Sequence, residues 1–155
     1  MLRAYTFFHV VISLAGIVTG FVVVAGMVTG NPLDGWTMWF LGTTMATSVT
    51  GFFFPYHGFK PAYAVGILSV IVLSLAYFAR YQQQMAGSWR WIYVVTAVVA
   101  LYFNVFVLIV QAFQKVPALK AAAPTQKETP FKAAQLVALA AFVVLGVLAV
   151  SRFKV

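Results

Sequence analysis

Cysteine is absent from this chain and acids nearly so: of 155 residues, two are Asp or Glu, against ten Lys or Arg. Without thiols there is no disulfide framework, no iron–sulfur cluster and no thiolate metal site. Two carboxylates on opposite sides of the expected layout cannot work as an acid/base pair, which removes glycosidase-type and aspartyl chemistry. Asp34 also falls on the face opposite both histidines, so a Ser-His-Asp triad is excluded. No glycine-rich loop carries the lysine that would cradle a phosphate. No long apolar run has a carboxylate, lysine or arginine near its middle, which argues against ion-coupled transport and proton pumping.

Charge of either sign is scarce. Charged residues make up 8% of the chain and hydrophobic residues 63%, with a mean hydropathy of +0.97, whereas a soluble domain carries about 25% charged residues. A chain this short cannot bury so much apolar surface in a soluble core, so the excess must face lipid. Five apolar segments account for nearly all of it, at residues 5–29, 36–54, 62–79, 91–113 and 131–151. A lipid-facing segment must satisfy its own backbone, so each is expected to be a helix. The expected fold is an all-α integral membrane bundle of five transmembrane helices, forming one domain over 1–155. The first run exceeds the ~7–15 residues of a signal-peptide core, so it is read as a retained span.

The net charge of +8 sits in the connections and at the chain ends. It reads as a topology determinant and a contact for anionic membrane lipid, not for nucleic acid. With a cytoplasmic N-terminus, that side holds Arg3, Lys60, Lys115, Lys120, Lys127 and Lys132, and the far side holds Arg80, Arg90, Arg152 and Lys154. The bias favours this orientation. Trp36, Trp39, Trp89 and Trp91 all begin spans 2 and 4, which a five-span layout places in one aromatic belt. Asn31 to Gly35 reads as a tight turn with Asp34 capping span 2, and Asp34 shares its face with Arg80 and Arg90. The longest connection, from Gln114 to Thr129, is expected to lie on the cytoplasmic surface against headgroups or a partner.

Helix faces carry the remaining signals. Span 1 aligns His9, Ser13, Gly16 and Gly20, and the Gly16–Gly20 step permits close approach of another helix. Span 2 gathers Thr43, Thr44, Thr47, Ser48, Thr50 and Gly51 on one side, with Met38, Leu41, Met45, Val49 and Phe52 on the other. Its hydroxyls either glue helices or, as Thr43, Thr47 and Thr50, line a solute pathway. Span 4 places Tyr93, Ala97, Ala100, Asn104 and Gln111 on one stripe, and Asn104 needs a partner across a helix interface. His9 and His57, near one membrane face, are the candidates for binding a haem, another metal or a quinone.

The stretches Thr43 to Pro55, Leu101 to Val107 and Gln111 to Leu119 resemble a family of small, uncharacterised bacterial inner-membrane proteins. The resemblance covers most of the chain. It implies a bacterial plasma-membrane location, and it carries over neither an activity nor site residues. Three functions follow as expectations. The first is a non-catalytic membrane protein that forms a homo-oligomer or serves other membrane subunits. The second is a small haem- or quinone-binding redox protein using His9 and His57, and the third is an oligomeric pore lined by span 2.

Overall fold

The first helix ends because Gly30 turns left-handed, with φ +79°. Asn31 N–H then reaches back to the Gly26 carbonyl at 2.6 Å, and Gly30 N–H to Met27 at 3.2 Å. This paired closure satisfies carbonyls that a helix end otherwise leaves bare. A computed structural model describes residues 2–31, 33–53, 61–125 and 127–153. The helices are α1 (Leu2–Thr29), α2 (Asp34–Gly51), α3 (Pro61–Tyr77), α4 (Trp89–Lys115), the short α5 (Pro117–Ala122) and α6 (Thr129–Arg152). There is no strand among the described residues.

Successive long helices run antiparallel, and glycines set the closest approaches. Along α1, Gly26 faces Leu33, Gly20 faces Phe40 and Leu101, and Gly16 faces Thr43, Thr44 and Asn104. A Cβ at Gly20 would stand 2.6 Å from Leu101 Cδ1 and 2.9 Å from the Phe40 ring. The core they close includes Val23, Val24, Met27, Phe40, Leu41, Leu73, Tyr93, Ala97 and Leu101. Helix α6 lies antiparallel to α4, with Phe142 against Tyr102 at 5.6 Å and Phe131 edge-on to Phe113 at 5.4 Å. It is the least covered of the long apolar helices: 11% of its most apolar stretch is buried, against 39% for α1 and for α4.

Among the described residues four helices, not five, are long and apolar enough to cross a membrane: Arg3–Thr29, Tyr63–Gln82, Trp89–Lys115 and Thr129–Arg152. The expected span at 36–54 is helical over Asp34–Gly51, but the hydroxyls and Asp34 of that helix leave it too polar to join them. Three finer expectations are corrected too. The residue before α2 is Leu33 in a left-handed conformation, and no side chain caps the helix, so Asp34 is its first residue and not its cap. Leu41 does not share the outward face of α2, since it is fully buried. Span 3 does not end before Arg80, because a π-helical turn, Phe78–Gln82, prolongs it and draws Arg80 into the protein. The tryptophans do share one end, at the starts of α2 and α4.

Candidate functional site

Antiparallel packing of α1 on α2 brings His9 to the last turn of α2. His9 Nδ1 lies 2.9 Å from Thr50 Oγ1, and Tyr5 Oη donates to the Thr50 carbonyl at 2.5 Å. The Thr50 hydroxyl has one proton, which it gives to the Ala46 carbonyl at 2.6 Å. With that proton on the Ala46 carbonyl the hydroxyl accepts from His9, and in that arrangement Nδ1 carries the ring proton while Nε2 is left as the acceptor. Gly51 lies beside the ring, where a Cβ would make only an ordinary contact with His9 Cε1 at 3.5 Å. His57, the expected partner of His9, lies outside the described residues, as do Lys60 and the aromatics just before it.

The middle of the bundle holds a second polar cluster. Asn104 Nδ2 donates to Thr44 Oγ1 at 3.3 Å. Gly16 makes room for both, since a Cβ there would lie 3.0 Å from Thr44 Oγ1 and 3.5 Å from Asn104 Nδ2. Thr43 and Thr47 return their protons to their own helix, to Trp39 at 2.6 Å and Thr43 at 2.8 Å. The hydroxyl face of α2 therefore meets protein, with Thr44 wholly buried and Thr43 and Thr47 half-buried. Gln111 is half-buried further along α4, four residues before Lys115, and does not join this cluster.

The third cluster is built on Arg80 and Asp34, which the sequence sets on one face without showing that Arg80 is buried. Arg80 has a side chain only 5% exposed, and it pairs with Asp34, which is 82% exposed. Its guanidinium stacks 5.0 Å from the ring centre of Tyr93 and 5.8 Å from that of Tyr81. Tyr93 is fully buried, and its hydroxyl neighbours Thr37 and Arg80 without meeting either in full hydrogen-bond geometry. Below the π turn, Gln84 and Met85 both take left-handed backbones, with φ 51° and 57°. Each such residue stores about 1–3 kcal/mol of strain, and π turns recur where helices carry function. One signal was available in the sequence: Arg80 stands within one turn of the expected end of span 3, on the face of the only acid there. On the same side Arg90 donates to the Val150 carbonyl at 3.1 Å and to that of Phe153, closing the last turn of α6.

Chemically these clusters do different things. The Arg80 group holds a charge inside the protein by a carboxylate and two aromatic faces. The His9 group orients an imidazole. Among the described residues no three His, Cys, Asp or Glu side chains gather as a metal site. No protein-family model matches this chain, and neither a curated protein nor a solved structure matches it.

Proposed function

We propose that the chain is a multi-pass protein of the bacterial inner membrane, with a cytoplasmic N-terminus and α2 as a fifth crossing helix. On this reading it is non-catalytic and works by lateral contact, as a homo-oligomer or as an accessory subunit among other membrane subunits. The fifth crossing is supported by how α2 lies. Its 18 residues rise about 27 Å, and they run beside α1 from Gly26 to His9. Beyond Asp34 at its start, its polarity is turned inward or spent on its own carbonyls, while Met38, Trp39 and Val49 face outward.

The observation that carries the lateral reading is α6. A whole membrane-length helix is gripped on one flank only, leaving Leu136, Val137 and Val144 largely exposed. The small residues of α1 are used inside the protomer, so an association surface has to be sought there and not at Gly16 or Gly20. The test is native mass spectrometry after gentle extraction at natural expression level. Multiples of the 17.0 kDa chain, or added subunits, support the reading; a bare single chain rejects it.

One observation favours the redox reading as a second possibility. Metal-binding histidines almost always donate their other ring N–H to a neighbour, and His9 does this to Thr50. That reading requires a haem absorbance band or a bound quinone that is lost in His9→Ala. A colourless protein without quinone disposes of it. What weighs against the pore reading is that Thr43 and Thr44 lie against Gly16 of α1 and Thr44 accepts from Asn104 of α4.

A further inference from the structure

An open groove of about 540 Å³ runs between α4 and α6 on the outer surface. Val95 and Tyr102 line it from α4, and Leu139, Val143, Gly146 and Ser151 from α6. Gly146 forms a low point in its wall, where an added Cβ would approach no closer than 3.8 Å to Val98 Cγ1. Twelve residues separate Leu139 from Ser151, a rise of about 18 Å. Half of a ~30 Å hydrocarbon core is about 15 Å, the depth of one leaflet. The groove is thus about as long as one acyl chain, and too short to seat a second membrane-crossing helix along its whole length.

Its two ends differ. The inner end closes at the Tyr102–Phe142 ring pair. The outer end opens beside Ser151 and the exposed Arg152, with the Arg90 guanidinium 3.1 Å from the Val150 carbonyl. Trp91 stands half-exposed one turn above Val95, at the level where tryptophan marks a membrane interface. An apolar slot one leaflet deep, with arginines and an indole at its mouth, matches an anionic phospholipid in charge as well as length.

We propose that this groove is a specific site for one acyl chain of an anionic phospholipid whose phosphate lies against Arg152. The proposal rests on the membrane reading above and is separable from the assembly reading, because one spectrum reports lipid mass and chain number independently. The experiment is native mass spectrometry of the full chain, extracted from vesicles of equal phosphatidylglycerol and phosphatidylcholine. The wild type is expected to keep one lipid per chain, with phosphatidylglycerol preferred. Gly146→Leu, which fills the groove, should lower retention about tenfold, the loss expected when two methylenes lose apolar cover. Arg152→Gln changes an exposed side chain and leaves the slot intact. It should keep the lipid but cut the headgroup preference about fivefold. Retention unchanged in Gly146→Leu, or a preference unchanged in Arg152→Gln, overturns the proposal. So does a Val95→Cys variant, placed on the α4 wall and apart from the α6 face proposed for assembly, that crosslinks efficiently to a second copy, which would make another chain the occupant.

Discussion

Gly20→Ala tests the packing of α1 most directly. The new methyl would stand 2.6 Å from Leu101 Cδ1 and 2.9 and 3.0 Å from two carbons of the Phe40 ring. Carbon atoms rest at about 3.5–4.0 Å, so the overlap approaches 1 Å on two sides. Leu101 and Phe40 are both fully buried. Overpacking of this kind costs about 1–3 kcal/mol. The helix itself gains up to about 1 kcal/mol when glycine becomes alanine. A net loss of about 1–2 kcal/mol is expected from those two terms. Gly42→Ala is the internal control, since nothing lies within 4 Å of a Cβ there, and it keeps only the favourable helix term of up to about 1 kcal/mol. Reversible unfolding in mixed micelles, compared at the midpoint, reads both. If Gly20→Ala is as stable as the wild type, or Gly42→Ala loses as much, α1 does not pack as described.

Asp34→Asn should cost about 1.5–3 kcal/mol, the range for a hydrogen bond to a charged group, because it leaves the buried Arg80 guanidinium with only aromatic faces and Met85. A loss below about 0.5 kcal/mol in the same unfolding assay would place Arg80 in contact with solvent. Gln135→Leu should be neutral or stabilising. Its Oε1 is buried with no partner among the described residues, and its Nε2 makes only a long 3.4 Å bond to the Phe106 carbonyl; clear destabilisation would reveal an acceptor in use. Glu128, before α6, feels desolvation, the largest single influence, which raises its pKa, but bonds from the Thr125 hydroxyl and from the Thr125 and Lys127 amides together outweigh it, so the carboxyl is held below its ordinary value. A lowered folded-state value stabilises fully above the unfolded pKa of about 4.3 and loses that contribution as pH falls through the folded value. Hydrogen exchange at Thr125 and Lys127 should therefore be protected at neutral pH and lose protection only on strong acidification; equal protection throughout would refute the assignment.

The helices were legible because lipid imposes one rule on every backbone, and long apolar runs obey it visibly. Ends were less legible, because they depend on single conformations. Asp34 looked like a cap by residue type, yet the left-handed Leu33 starts α2 and frees that carboxylate for Arg80. Hydropathy sets α2 apart from the four apolar helices. It counts a threonine as polar wherever it points, but Thr43 and Thr47 return their protons to their own helix, and Thr44 accepts the Asn104 amide. To lipid such a helix is less polar than its letters suggest, which is why its hydropathy and its position beside α1 disagree.

Arg80 shows the limit of reading charges as loop markers. Its position was placed beyond span 3 because arginine in hydrocarbon is expensive, and that premise holds only for an unpaired guanidinium. Here the sequence supplies the compensation at long range. Asp34 comes from 46 residues earlier and Tyr93 from the next helix. The π turn advances the helix by one extra residue over Phe78–Gln82 as Arg80 swings inward, and the following Gln84 and Met85 absorb the distortion in left-handed backbones. Strain there is stable only while the pair with Asp34 holds the turn. The pair, the π turn and the two strained residues therefore form one cooperative unit, and loosening any member should release the others.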